Sequence, residues 1–370
     1  MKKYTLAILF CTMATCLLAQ KTGRNKPVVI GYVGGYSGIA DTSINEATKL
    51  TNNNYTFVDV KKNSANLHNE KTDTINFKNL NGLKLKNPSI KILISIGGWT
   101  WSKNFSDAVL TDTSRKAFAE SAVAIMAKYD LDGVDIDWEY PGMRGDSNVF
   151  RPEDKVNYTL MFKELRAELD TLQQATGKKY LLTTAVGGFP SFLHHTEMGK
   201  AQQYLDYINL MTYDYSWGKA SHHTNLYNAT KDSSANSADK AVAAFMEAGV
   251  PVSKLVMGIA FYGRGSIVEG DSKTGIHNKV VSPSHVGGYS YIKDSLLTRE
   301  GYRSYWDKKA KAPYLFNATD KKFISYDDER SVKYKCKYVL RHKLAGVMFW
   351  EYADDKKGYL LAVIASTFGN

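Results

Sequence analysis

Three acids, Asp135, Asp137 and Glu139, stand two residues apart in the run DGVDIDWEYPG. Alternate side chains of a β-strand share a face, so the three carboxyls point one way and Val134, Ile136 and Trp138 the other. Roughly 7 Å apart along a strand, they repel one another, and a water-poor setting cannot hold all three ionised cheaply. At least one then keeps a proton near neutral pH, which is what a general acid needs. Glu139 is nearest the C-terminal end of the strand, the end from which α/β barrels present catalytic groups. A hydrogen-bonded structural cluster and an oxygen-ligand site for Mg²⁺ or Ca²⁺ are the other arrangements these acids allow.

The elements that must position the acids follow from the same kind of pattern. Short β-branched runs ended by Gly, Trp or Tyr begin at Val28, Tyr55, Lys91, Gly133, Leu181, Tyr207, Leu255 and Ala345. Helical-looking segments lie between most of them, such as SRKAFAESAVAIMAKYD before the fourth run and KVNYTLMFKELRAELDTLQQ after it. Eight alternations of strand and helix predict an α/β fold, a (β/α)8 TIM barrel. The stretch from Leu255 to Ala345 is too long for one helix and its loops. Within it, Gly265 to Ser325 is rich in Gly, Ser and Tyr and contains the strand-like pieces VGGYSYI and KKFISY. We therefore expect a small α+β insertion at 265–325 between strand 7 and strand 8, forming one wall of a cleft, with the barrel built from 20–264 and 326–370.

Composition narrows the class of partner. The 370 residues carry a net charge of +11, but Lys and Arg are spread along the chain without a run of five. That argues against a nucleic-acid arm. The 24 Tyr and 6 Trp are the flat amphipathic rings that line carbohydrate clefts as well as cores. Lys2 and Lys3 precede an apolar run ending near Ala19, the pattern of a secretory signal peptide at 1–19 that directs the chain to the periplasm or the exterior. Lipidation at Cys16 is the weaker alternative, because Thr15 is larger than the residue usual before a lipidated cysteine. Beyond the signal only Cys336 remains, so no internal disulfide is expected. No other apolar run is long enough for a membrane span.

With Asp132, the three acids spell DxxDxDxE, and the extended DGVDIDWEYPG resembles the signature of chitinases of glycoside hydrolase family 18. SIGGW with Ser95 and Trp99, MTYDY with Met211, Tyr213 and Asp214, FYGR with Tyr262 and Arg264, and VMFWEY with Trp350 resemble that family's other strand-end motifs, in order. The similarity runs from about Pro27 to the C-terminus, and the insertion falls where bacterial relatives carry one. The resemblance implies a retaining hydrolase without an enzyme nucleophile, acting as a monomer on chitin or N-acetylglucosamine oligosaccharides. Glu139 would be acid and base, Asp137 would turn toward it and the substrate's acetamido group, Asp135 would share a proton with Asp137, and Tyr213 would hold the acetamido oxygen. Tyr32, Ser95 and Asp132 would support the acids. Trp350, Trp99, Tyr140, Met211, Tyr262, Arg264, Asp214 and Phe57 would bind substrate, although Phe57 reads equally as core and Arg264 as the partner of a nearby acid.

A conventional glycosidase needs a second acid facing the first. Asp214 and Glu351 are the nearest barrel-end candidates, and position alone leaves both open; the family pattern casts Asp214 as a substrate contact. Trp101 and Trp217 sit in loops that could extend the aromatic platform. The pairs His194–His195 and His222–His223 lack helical metal-ligand spacing, so no zinc site is expected. Dinucleotide, P-loop and nucleophile-elbow motifs are absent, so no cofactor is implied. The turn GYVGGYS departs from the family, whose members often carry an aromatic residue near the second Gly, so a subsite on that side is either missing or filled by Tyr36. An endo-β-N-acetylglucosaminidase of N-glycan cores and a non-catalytic chitin-binding lectin are the competing functions.

Overall fold

In the computed structural model, which describes residues 26–42, 46–216, 218–229 and 236–369, eight parallel strands close into a ring. They are β1 (Val28–Gly34), β2 (Asn52–Lys61), β3 (Lys91–Gly97), β4 (Gly133–Asp137), β5 (Leu181–Gly187), β6 (Tyr207–Met211), β7 (Leu255–Ala260) and β8 (Gly346–Trp350). Each pairs with the next, and β1 pairs with both β2 and β8. The fold is thus a (β/α)8 barrel. The signal-peptide reading with Cys16, and Trp217, lie outside the described residues.

Period-two alternation decides what faces where. Val134, Ile136 and Trp138 are buried outward against the helices, and Trp138 stacks on Phe105 at 5.1 Å. Inside the ring, Ile30, Tyr32, Ala185, Val256 and Met348 form a separate apolar plug. Register fixes the acids against their neighbours: Asp135 lies between Ser95 of β3 and Thr183 of β5, and Asp137 lies between Gly97 and Ala185. The first layer offers hydroxyls, and the second offers small residues that leave room. The flanking helices are well delimited. Asp112–Lys128 opens on a Thr111/Ser114 capping box, and Asp154–Thr176 ends at Gly177, whose φ of 71° suits the left-handed stop.

Two boundaries differ from expectation. Strand β2 begins at Asn52 rather than Tyr55, because the three asparagines sit in ladders on both sides and are buried; pairing overrides their poor strand propensity. Between β7 and β8 lies a five-stranded antiparallel sheet. Its first strand is Tyr262–Glu269, three residues before the predicted insertion, so Tyr262 and Arg264 belong to this sheet rather than to the barrel wall. The strand-like VGGYSYI also divides: the strand ends at Gly288, and Tyr289–Leu296 turns helical.

The sheet returns to the barrel over a buried ion pair. Lys335, on helix Glu329–His342, lies 2.6 Å from Asp327, and both side chains are fully buried. Asp327 also accepts from Thr224 at 2.9 Å and from the Ala260 N–H at 3.3 Å, tying the loop after β6 to the end of β7. Lys335→Ala would leave Asp327 buried without its cation. We expect a loss of about 3–5 kcal/mol in urea unfolding; a loss under about 1 kcal/mol would mean that Asp327 finds another partner.

Candidate active site

The acids of β4 stand at successive heights in the barrel mouth, each in different surroundings. Asp135 is fully buried and accepts four hydrogen bonds, from Tyr32 (3.0 Å), Ser95 (2.7 Å), Thr183 (2.5 Å) and the Asn209 amide (3.3 Å). Burial raises its pKa, and the Thr183, Ser95 and Tyr32 hydroxyls offset part of the rise. Four donors fill the acceptor capacity of an ionised carboxylate. Thr183 and Asn209 escaped the sequence reading, although alternate positions on β5 and β6 were the places to look.

Asp137 is raised well above the ordinary carboxylate range by burial, then by the charges of Glu139 and Asp135. Its Oδ1 is buried and accepts no hydrogen bond from any described group. Gly97 is required beside it: at φ 108°, an added Cβ would lie 2.3 Å from the Asp137 carbonyl. Ser102 ties down the strand end, accepting from the Glu139 N–H at 2.9 Å while donating to the Gly98 carbonyl at 2.8 Å. Glu139 itself is partly open to the cleft. Its carboxyl is pushed up to about 7, chiefly by burial, with the Tyr140 hydroxyl opposing and the Asp214 charge adding. Two acids this close titrate as a pair, and the proton they hold belongs to the pair.

Tyr213 reaches the same space from the end of β6. Its hydroxyl lies 3.8 Å from the Met348 sulfur, and its pKa is raised by burial and then by Asp137, so the phenol stays protonated. Asp214 adopts a left-handed backbone, φ 60°. Arg264 grips it with Nε at 2.7 Å and Nη2 at 2.6 Å, Tyr262 donates at 2.9 Å, and His223 lies at 3.4 Å. Burial would raise the Asp214 pKa, yet the Arg264 and His223 contacts hold it well below the usual range. Arg264 is thus the partner of an acid. His222 turns instead to Asp307 at 3.2 Å, so the adjacent histidines serve different partners. Among the described residues, no group of three or more His, Cys, Asp or Glu converges as a metal site.

Aromatic rings flank the acids in two groups. Trp350 stacks on Phe57 (5.5 Å) and Tyr36 (6.4 Å), with Tyr32 at 5.9 Å; Trp101 packs on Phe57 and Tyr36. Phe57 is 5% exposed and backs Trp350, made possible because Gly98 has no Cβ to strike it. The expectation that it lines the substrate is corrected on that ground. The second group contains Trp99, 48% exposed, against Tyr140, which in turn meets Phe189 at 5.6 Å; Phe189 was not anticipated. Met211 is half-buried against the interior plug. Asp132 lies at the opposite end of β4, paired with Lys84 (2.8 Å) and Lys178 (3.1 Å) and capping the Ile92 N–H. It supports the barrel's N-terminal end, and its expected place behind the acids is corrected.

Neither candidate second acid opens a carboxylate oxygen to the cleft beside Glu139, since the unpartnered Oε2 of Glu351 is buried. Asp214 is neutralised by Arg264, and Glu351 Oε1 accepts the Tyr36 hydroxyl at 2.6 Å. Peptide bonds Thr56–Phe57, Glu139–Tyr140 and Trp350–Glu351 are cis; the first lies within β2, where its register with β3 shifts, and the other two follow the C-terminal ends of β4 and β8.

Residues 28–355 match the family described as glycosyl hydrolases family 18. Chitinase A1 of Niallia circulans is 43% identical over 299 residues, covering 76% of this chain and 43% of that protein. Chitinase B of Serratia marcescens is 31% identical over 394 residues, covering 87% of this chain and 77% of its own. This chain thus spans less than half the length of Chitinase A1. Among solved structures, a family 18 N-acetylglucosaminidase from Paenibacillus barengoltzii superposes with a TM-score of 0.86 at 39% identity, covering 92% of this chain and 99% of that one.

Proposed function

The chain belongs to glycosyl hydrolase family 18 and is a glycoside hydrolase; we propose that it cleaves β-1,4 bonds between N-acetylglucosamine units of chitin and its oligosaccharides, with retention. The observation that carries this reading is Glu139, raised to about 7 beside an Asp137 whose Oδ1 is unengaged. A protonated Glu139 donates to the glycosidic oxygen as the C1–O bond breaks. The acetamido carbonyl oxygen of the same sugar bonds to C1, giving an oxazolinium ion, while Asp137 accepts the acetamido N–H and offsets the positive charge. Tyr213 holds the acetamido oxygen in line. Water then attacks C1 as the bond from C1 to the acetamido oxygen breaks, which restores the acetamido group, and Glu139 takes the water's proton. The occupied states of Asp214 and Glu351 support attack by the substrate rather than by an enzyme carboxylate.

Trp350 floors the reacting sugar and Trp99 serves the leaving group. The five-stranded sheet acts as a cleft wall, a role supported by Arg264 and Tyr262 reaching Asp214 from its first strand. Segment 1–19 directs export. Among the described residues, no helix is long and apolar enough to cross a membrane. The complete set of acids weighs against a lectin. Release of a high-mannose glycan from a glycoprotein, without cleavage of chitooligosaccharides, would establish the glycan-core reading instead.

The reading fixes the sign of the pH dependence. Glu139 must be protonated to act, so kcat/KM on chitotetraose falls as pH rises through about 7. Arg264→Leu removes a cation near Asp214 and leaves that charge uncompensated, which makes ionisation of Glu139 harder. We expect its alkaline limb to move to higher pH, with kcat/KM lowered about tenfold by the misplaced Asp214. A limb that stays in place would remove Asp214 from control of the acid.

A further inference from the structure

The turn after β1 bears on which bond of a chain is cut. The Gly35 N–H donates to Thr56 at 2.6 Å, and the Gly38 N–H closes the turn on the Gly35 carbonyl at 3.1 Å. This tight return depends on glycine: a Cβ on Gly34 would lie 2.5 Å from the Glu351 carboxylate, and one on Gly35 would lie 1.9 Å from the Tyr55 hydroxyl. The consequence is the placement of Tyr36. Its ring lies within 8° of parallel to Trp350 and also contacts Phe57 and Trp101, although it remains 36% exposed. Its hydroxyl donates to Glu351, the residue after Trp350, at 2.6 Å. Ring contacts and hydrogen bond together strap the loop after β1 to the end of β8.

The strap stands beside the floor of the reacting sugar, away from the Trp99, Tyr140 and Phe189 rings of the second group. Resting on the hydrolase reading above, we infer that Tyr36 and Glu351 close the non-reducing side of the cleft, which then holds no more than two sugars. One sugar lies on Trp350, and a second meets the Tyr36 ring. A third would have to displace a ring packed on three aromatics and a hydrogen bond to a partly buried carboxyl. The substrates are therefore chains with free non-reducing ends, shortened by one or two sugars at a time.

The test uses chitopentaose labelled with a fluorophore at its reducing end, with products separated at early times. The wild type should first yield labelled tetraose or triose. Tyr36→Ala should raise the initial share of labelled biose, from three sugars on the non-reducing side, by about tenfold. Tyr36→Phe keeps the packed ring and serves if the alanine variant does not fold; loss of the hydrogen bond to Glu351 should raise the same product, by less. Labelled biose as a major first product of wild type would overturn the inference. Identical product ratios in wild type and in whichever variant folds would do the same. Wild type that cuts nothing would strike at the hydrolase reading, and the inference would fall with it.

Discussion

Glu139→Gln is expected to lower kcat on chitopentaose by at least about two orders of magnitude, the usual scale of general acid catalysis, while leaving KM within a few-fold. Glutamine keeps the shape and can still occupy the space beneath the Ser102 contact, but it has no proton to give at any pH. Glu139 is the one acid of the β4 series that is both raised to about 7 and partly open to the cleft. Asp135 is closed in by four donors, and Asp214 is tied to Arg264. A variant retaining more than about a tenth of wild-type kcat would show that another group supplies the proton.

The second large effect is at Asp137. Asp137→Asn should cost about 100- to 1000-fold in kcat, the range seen when one preorganised group facing a developing charge is removed. Unlike Glu139→Gln, it should also move the surviving pH profile. The charge of Glu139 raises Asp137, and coupling between two titrating groups is reciprocal, so removal of the Asp137 carboxylate makes ionisation of Glu139 easier. The alkaline limb then shifts to lower pH, opposite to the shift expected for Arg264→Leu. Two variants near one acid, moving its titration in opposite directions, separate electrostatic control from general disruption. An Asp137→Asn profile with unchanged limbs would mean that the two acids do not sense each other.

The barrel and its acids were legible because both are periodic. Alternation along DGVDIDWEY put the acids and the apolar residues on opposite faces, and the structure has Val134, Ile136 and Trp138 in the outer core. What escaped was set by pairing between strands. Thr183 and Asn209 reach Asp135 only through the register of β5 with β4 and of β6 with β5, which a single strand does not announce. The Asn52–Asn54 start of β2 defied propensity for the same reason. Asp132 shared a motif with the acids but not their end of the strand, since it stands five positions before Asp137 and strand rise carries it to the other rim. The Tyr36–Glu351 contact joins residues more than 300 apart in sequence, and only ring closure between β1 and β8 brings them together.

The proposed hydrolysis uses Glu139 as acid and base and the substrate's own acetamido group as nucleophile. Its most direct test is proton NMR of the first-formed reducing-end anomer during cleavage of chitopentaose, run beside Glu139→Gln. The β-anomer should appear first and mutarotate later, and the variant should give no product over the same time. The α-anomer appearing first would contradict that mechanism, because a single inverting displacement by water needs a second carboxylate open to that water, whereas Asp214 is paired with Arg264 and Glu351 has one oxygen bonded to Tyr36 and the other buried.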